Sequence, residues 1–218
     1  MEQSKLDRIA EWSVDLEISG TAIKSAGEAH KIHVADSLAG LEVPAVQAAK
    51  SIVDIGSGAG FPGLVLAVML PDAQITLVDS VRKKMEAAGK FARELELENV
   101  ECVWGRAEEI AALGSPHREA YDVVTARALA QLGVLLEYSA PLLRESGHLV
   151  AWKGLPEPSE LAAARAAAEI LGFETGQLTE TKPFKGSRTR HFYVARKIRP
   201  TDERFPRRAG VALKKPLA

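Results

Sequence analysis

The chain has 218 residues, 46% hydrophobic and 26% charged, with a net charge of −1. That balance excludes collagen-like and disordered chains and fits one domain, or one domain with an appendage, around a sizeable core. The charge is unevenly placed: residues 182–218 carry 12 Lys and Arg against two Asp and Glu, whereas residues 1–181 carry 16 against 27, which suits either a polyanionic partner or a merely solvated tail.

In chain order, residues 1–18 place Leu6, Ile9, Ala10, Val14 and Leu16 near helical spacing, and 28–42 repeats the pattern with Ile32, Val34, Leu38 and Leu41. Pro44 ends that stretch. From Ser51 the period changes. SIVDI reads as a strand, GSGAGFPG as a turn, and Leu64 to Leu70 as an apolar helix that Pro71 stops. QITLVDS, VECVW, YDVVTA and HLVAWKG read as further strands. Helices are expected at Val81 to Leu97, Leu129 to Leu143 and Glu157 to Leu171. FETGQLTE and HFYVARKI close the series with no helix between them, as an antiparallel hairpin would. The pattern predicts an α/β, Rossmann-like fold: a mostly parallel sheet, an antiparallel final strand and extra N-terminal helices. The expected division is a helical segment 1–48 packed on the core, a ligand-binding domain 49–199, and a flexible basic tail 200–218.

No apolar run approaches the roughly 20 residues that cross a bilayer. The start, MEQSKLDRIAEW, is too charged for a signal peptide. The single cysteine, Cys102, excludes an internal disulfide framework and a multi-cysteine metal site. A cytoplasmic monomer without metal or membrane is expected.

Open α/β sheets bind ligands beyond the carboxyl ends of their strands. The first strand here runs into Asp54, Gly56, Gly58 and Gly60, glycines that permit positive φ and close approach of a ligand. The pattern is D-x-G-x-G-x-G, and the dinucleotide pattern fits poorly, because Phe61 stands where its third glycine belongs. Asp79 ends the second strand, 25 residues after Asp54, where a carboxylate can accept from both ribose hydroxyls. The third strand ends in Gly105-Arg106-Ala107-Glu108. Each acid can equally serve as a helix cap or stay solvated.

The glycine motif resembles the first motif of methyltransferases that use S-adenosyl-L-methionine (SAM). The chain further resembles one family, the bacterial 16S ribosomal RNA guanine-N7 methyltransferases, RsmG, also called glucose-inhibited division protein B (GidB). The carrying pieces are HVADSL (His33 to Leu38), DIGSGAGFPG, VDSVRKK, GRAEE, TARALA around Arg127, AWKG with Lys153, and FPRRAGVALKKPL. One departure is that Ser13 follows Trp12 and Glu17-Ile18-Ser19 stands where the family carries Asn-Leu-Thr. The resemblance implies SAM contacts at Gly56, Phe61, Ala107, Glu108 and Arg127. It also implies methylation of a guanine N7 in 16S ribosomal RNA or the small ribosomal subunit, with S-adenosyl-L-homocysteine as product. The strand-end reading adds Asp54, Gly58, Gly60 and Asp79.

Guanine N7 keeps an in-plane lone pair, so no general base is required and positioning dominates. Arg127 and Lys153, at strand ends, are candidates for placing the base, with Arg190 near the RNA. Lys83, Lys84, Arg204, Arg207, Arg208, Lys214 and Lys215 are candidates for phosphate. His33 and Asp36, at i, i+3, share a helix face without a third metal ligand. The alternatives are a small-molecule methyltransferase, an NAD-dependent oxidoreductase, and an RNA-binding module with a degenerate cofactor pocket. Truncation after about Arg199 is expected to cost an RNA enzyme its affinity and leave a small-molecule enzyme active.

Overall fold

The computed structural model describes residues 2–15 and 25–218. Its described residues build a sheet of seven strands: β1 (Ser51–Ile55), β2 (Gln74–Asp79), β3 (Val100–Trp104), β4 (Tyr121–Arg127), β5 (Leu143–Lys153), β6 (Gln177–Thr181) and β7 (Arg190–Arg196). The spatial order is β3-β2-β1-β4-β5-β7-β6. The first five strands are mutually parallel, and β7 runs antiparallel to both β5 and β6. The sheet reverses direction of growth at β1 and β4, so a crevice opens at the carboxyl ends of those two strands.

Ten α-helical segments surround it: α1 (Glu2–Asp15), α2 (Ala26–Ala29), α3 (Asp36–Leu38), α4 (Pro44–Ala48), α5 (Gly63–Met69), α6 (Arg82–Glu94), α7 (Ala107–Ile110), α8 (Leu132–Ser139), α9 (Pro158–Leu171) and α10 (Val211–Lys214) among the described residues. A π turn, His30–Ala35, joins α2 to α3, and a 3-10 turn, Ala39–Glu42, follows. The expected helix over 28–42 is therefore continuous but changes pitch. Its π turn is a form often found at functional sites. Leu16 and the Glu17 to Ser19 departure lie outside the described residues.

Strand periodicity sorts the two cores. Ile52, Val150, Trp152 and Phe192 face the layer of α1, α5 and α6, while Val53, Ile55, Leu149, Ala151 and Tyr193 face α8 and α9. Leu6, Ile9 and Ala10 of α1 belong to the first of these cores, and Trp12 stacks on Phe91 of α6 at 4.4 Å between ring centres. The N-terminal helices thus share their core with the sheet.

Two expectations need correction. The helix expected to reach Leu143 stops at Ser139, and β5 already begins at Leu143; Pro141 cannot donate within a helix. The tail after Pro200 is packed, not free. Thr201, Phe205 and Ala212 are buried, and Arg118 donates to the carbonyls of Thr201 and Phe205 at 3.4 and 2.9 Å.

Candidate functional site

The bend after β1 needs left-handed backbone at Gly56 and Gly58, φ +65° and +57°. The Ser57 amide donates back to the Val78 carbonyl at 3.0 Å, which fastens the bend to β2. A Cβ on Gly58 would meet only the Gly56 carbonyl at 3.9 Å and Lys84 Nζ at 4.0 Å. That face is therefore an open cradle. Gly60 instead turns toward the side chain of Leu64, so it serves the entry into α5 and not the crevice.

Two carboxylates hold the bend. Asp54 is 0% exposed; its Oδ2 accepts from the Gly63 amide at 2.9 Å and its Oδ1 from the Thr125 hydroxyl at 3.0 Å. It lies beneath the bend and off the cavity walls, which corrects the expected direct cofactor contact: Asp54 positions the turn. Burial pushes its pKa from 3.8 up to about 7, against the Gly63 and Thr125 hydrogen bonds, which pull it down. A raised carboxylate pKa means the fold retains a proton that the unfolded chain releases. Asp54 therefore costs stability as pH rises from about 4 to about 7. Asp54→Asn is expected to flatten that decline in urea unfolding followed from pH 4.5 to 7.5; an unchanged slope contradicts the assignment.

Asp79, at the end of β2, accepts from the Gly58 amide at 3.0 Å through Oδ2 and from the Val81 amide at 2.8 Å through Oδ1. Each oxygen keeps a second lone pair for a ligand.

Cavities flank the bend on both sides and meet at Gly56. The larger, about 570 Å³, is walled by Gly56, Gly58, Phe61, Lys84, Arg127, Lys153 and Arg190, with Ser13, His33 and Asp36. The smaller, about 120 Å³, is walled by Gly56, Asp79, Ala107, Glu108, Leu129, Tyr138 and Leu213. Ser13, the family departure, is buried and donates to the Ala10 carbonyl at 2.8 Å. Ala128, between Arg127 and Leu129, holds φ +54°, a strained value for a residue with a Cβ.

One acid organises the larger cavity. Asp36 accepts from Arg127 Nη1 at 3.1 Å through Oδ2 and from Arg190 Nε at 3.2 Å through Oδ1. Its main-chain carbonyl accepts from Trp152 Nε1 at 2.8 Å. Arg127 also lies over the Phe61 ring, 5.3 Å from its centre, while His33 stacks on Phe61 at 4.8 Å. His33 Nδ1 stands 3.3 Å from Arg127 Nη2. Burial and the Arg127 charge push the His33 pKa down to about 4, so the imidazole is neutral near pH 7 and accepts from Arg127. The i, i+3 spacing of His33 and Asp36 signalled a shared face; the two arginines they would meet could not be read from it. Lys153 lines the cavity, but its ammonium donates to Glu160 at 2.6 Å and to the Ala130 carbonyl at 3.3 Å.

Among the expected phosphate contacts, Lys84 reaches the larger cavity and Lys83 is exposed outside it. Arg208, Lys214 and Lys215 are exposed on the docked tail. Arg204 pairs with Asp202 at 3.4 Å. Arg207 is a correction: its guanidinium grips Glu137 through two bonds of 2.6 and 2.5 Å and donates to the Lys215 carbonyl at 2.9 Å. Glu108 accepts from the Gly210 amide at 2.8 Å, and Leu213 walls the smaller cavity. The tail thus completes that cavity. Deleting residues 210–218 is expected to weaken ligand binding there by about tenfold or more, through loss of one apolar wall and of the Glu108 tether. Calorimetric titration with SAM checks this, and unchanged affinity contradicts it. The truncation expected to separate RNA from small-molecule enzymes therefore reports on the cofactor side as well.

Among the described residues, no group of three or more His, Cys, Asp or Glu is placed to hold a metal, and no helix is long and apolar enough to cross a membrane.

A crevice at the β1/β4 reversal, a glycine cradle and a carboxylate ending β2 define a SAM-dependent methyltransferase. Solved structures agree on the fold. The chain matches the O-methyltransferase TomG of Streptomyces achromogenes, solved in complex with SAM, with TM-score 0.60 and 20% identity over 89% of this chain and 90% of that one. It matches a SAM-dependent methyltransferase of Aquifex aeolicus with TM-score 0.56 and 17% identity over 78% and 92%. Residues 4–192 match the family model GidB, rRNA small subunit methyltransferase G. Relatives named ribosomal RNA small subunit methyltransferase G are 39% identical in Symbiobacterium thermophilum, over 97% of this chain and 87% of the relative, and 40% identical in Lacticaseibacillus paracasei, over 90% and 82%. The chain belongs to the rRNA small subunit methyltransferase G family.

Proposed function

We propose that the protein transfers a methyl group from SAM to N7 of one guanine in the 16S ribosomal RNA of the small subunit. The observation that carries this reading is the pair of cavities meeting at Gly56: the smaller holds Asp79 and Glu108 beside Arg106, and the larger holds Arg127, Arg190 and Lys153 around Asp36. The residues fit the cofactor. Asp79 and Glu108 offer acceptors for ribose and adenine, Ala107 and Leu129 an apolar wall, and Gly58 a face that a side chain would fill. When bound, SAM supplies a methyl carbon activated by its sulfonium.

The chain's own groups then have a positioning task. The N7 lone pair needs no deprotonation, so nothing in the cavity has to act as a base. Arg127 and Arg190, fixed by Asp36, present donors that suit guanine O6 or an adjoining phosphate and leave N7 free. Lys153, steadied by Glu160, adds positive charge at the end of β5. Phe61, against which both His33 and Arg127 pack, gives the larger cavity an aromatic wall beside the Gly56 bend. Holding the reacting atoms in line can contribute up to ~7–11 kcal/mol. The guanine edge is inaccessible within an A-form helix, so the target is a loop or extruded base.

Asp79→Ala is expected to weaken SAM binding by ~1.5–3 kcal/mol, the scale of charge-assisted hydrogen bonds; unchanged affinity by calorimetry refutes the ribose role. The function itself is tested with purified protein, methyl-labelled SAM and small ribosomal subunits. Label at N7 of a single 16S guanine supports it, and label on another atom or on no RNA overturns it. The family match and the cationic lining of the larger cavity favour an RNA acceptor over a small molecule.

A further inference from the structure

The β6–β7 connection lies beside the arginine cavity. Strand β6 runs parallel to β5, so both end at the same sheet edge: Thr181 pairs with Arg190, and Lys153 pairs with His191 on the other side of β7. The chain between reads Lys-Pro-Phe-Lys-Gly-Ser-Arg-Thr over 182–189, three cations and no acid. A third cavity, of about 360 Å³, is walled by Phe184, Ser187 and Arg188, and it shares Ile32, Asp36 and Arg190 with the larger one. The two cavities adjoin at these three residues.

The local geometry is that of a built site. The Ser187 amide donates to the Phe184 carbonyl at 3.0 Å, closing a turn whose third residue, Gly186, has φ +84°. That turn sets Lys185 at its apex, exposed, with Arg188 exposed beyond it. Lys182 stands 4.0 Å from Glu180, and Arg190 is paired with Asp36. Among the described residues, neither Lys185 nor Arg188 has a carboxylate partner within salt-bridge distance. The Ser187 hydroxyl is buried in the cavity wall without a hydrogen-bond partner. Such a group is rare unless a partner arrives. Free cations, an idle hydroxyl and an aromatic ring together match a nucleotide of single-stranded RNA: phosphate on the cations, ribose or phosphate oxygen on the hydroxyl, base on the ring.

We propose that residues 184–188 form a subsite for the nucleotide adjoining the target guanine, with Lys185 and Arg188 on its phosphate and Phe184 against its base. This rests on the RNA reading above. It adds an RNA grip on the β6–β7 turn to any on the tail, where Arg207 is committed to Glu137.

The test compares wild type, Lys185→Ala/Arg188→Ala and Lys185→Arg/Arg188→Lys on small ribosomal subunits, with melting temperature and SAM affinity measured alongside. The alanine pair is expected to raise KM for the subunit about tenfold, and to lessen the slope of log affinity against log salt by about 0.7, the value for one neutralised single-strand phosphate. The charge-conserving pair is expected to restore both, and SAM affinity to stay at the wild-type value. Phe184→Ala is expected to raise KM without changing the salt slope. Unchanged KM and salt slope in the alanine pair, with wild type methylating normally, overturn the subsite and leave the function standing. Failure of wild type to methylate N7 overturns the function and the subsite with it.

Discussion

Lys197→Met is expected to destabilise the protein by about 3–5 kcal/mol, the scale for removing one partner of a buried ion pair. The Lys197 side chain is 0% exposed although it is charged, and its ammonium donates to Glu119 at 2.6 Å, to the Ala140 and Leu143 carbonyls at 2.8 and 2.7 Å, and to the Thr201 hydroxyl at 2.7 Å. Burial pushes its pKa down and Glu119 pushes it back up. These bonds tie the end of β7 to the start of β5 and to the first residue of the docked tail. Methionine fills the volume but removes the charge opposite Glu119 and the ammonium donor to the Leu143 carbonyl, leaving Ala140 and Glu119 only their bonds from Thr201. Loss on that scale corresponds to a melting temperature lower by about 10 °C for a chain of this size. An unchanged melting temperature contradicts the account of how the tail is held.

Asp36→Ala is expected to lower kcat/KM for the ribosomal substrate by about 100-fold, the cost of a displacement of about 1 Å in positioning groups. Arg127 comes from β4, Arg190 from β7 and Asp36 from the helical segment, so this carboxylate is the group that joins the two arginines to one geometry. Without it the guanidiniums, both cationic, repel and swing apart. Asp36→Asn retains one acceptor oxygen and is expected to fall between wild type and alanine. The effect belongs mainly to RNA turnover, because the groups nearest the adenosine cavity, Asp79 and Glu108, do not touch Asp36. Steady-state kinetics with SAM saturating checks this. A kcat/KM equal to wild type means the arginines are placed by something else.

The legible part of the molecule was local. SIVDI and QITLVD carry β-branched runs, and the bend between β1 and α5 needs glycines at positive φ, so strand, turn and helix follow from adjacent residues. Pro141 is also a local signal, and it ends the helix short of Leu143. The tail was not legible for a different reason. Counting 12 cations against two acids treats the cations as free, but the fold gives many of them acids from the body: Arg190 to Asp36, Arg196 to Glu174, Lys197 to Glu119 and Arg207 to Glu137. Part of the charge asymmetry is therefore an internal attraction between the end of the chain and its acidic body. Those partners lie 22 to 154 residues away in sequence, and no period or spacing reports them. Lys185 and Arg188 are among the described cations left without a carboxylate, and they wall or adjoin the cavity beside Arg190.

Asp54 shows the same limit within the motif itself. It begins the glycine pattern, yet β-strand alternation turns it toward α5 and Thr125 instead of the crevice. Its neighbour at the next strand end, Asp79, does reach the cavity wall.

The most direct test is a crystal structure of the protein grown with SAM. The adenosyl group is expected against Asp79, Glu108 and Leu129, the sulfonium over the Gly56 bend, and the methyl carbon facing the cavity of Arg127 and Arg190. A donor bound elsewhere, or one whose methyl carbon points at a closed wall away from those arginines, contradicts the account.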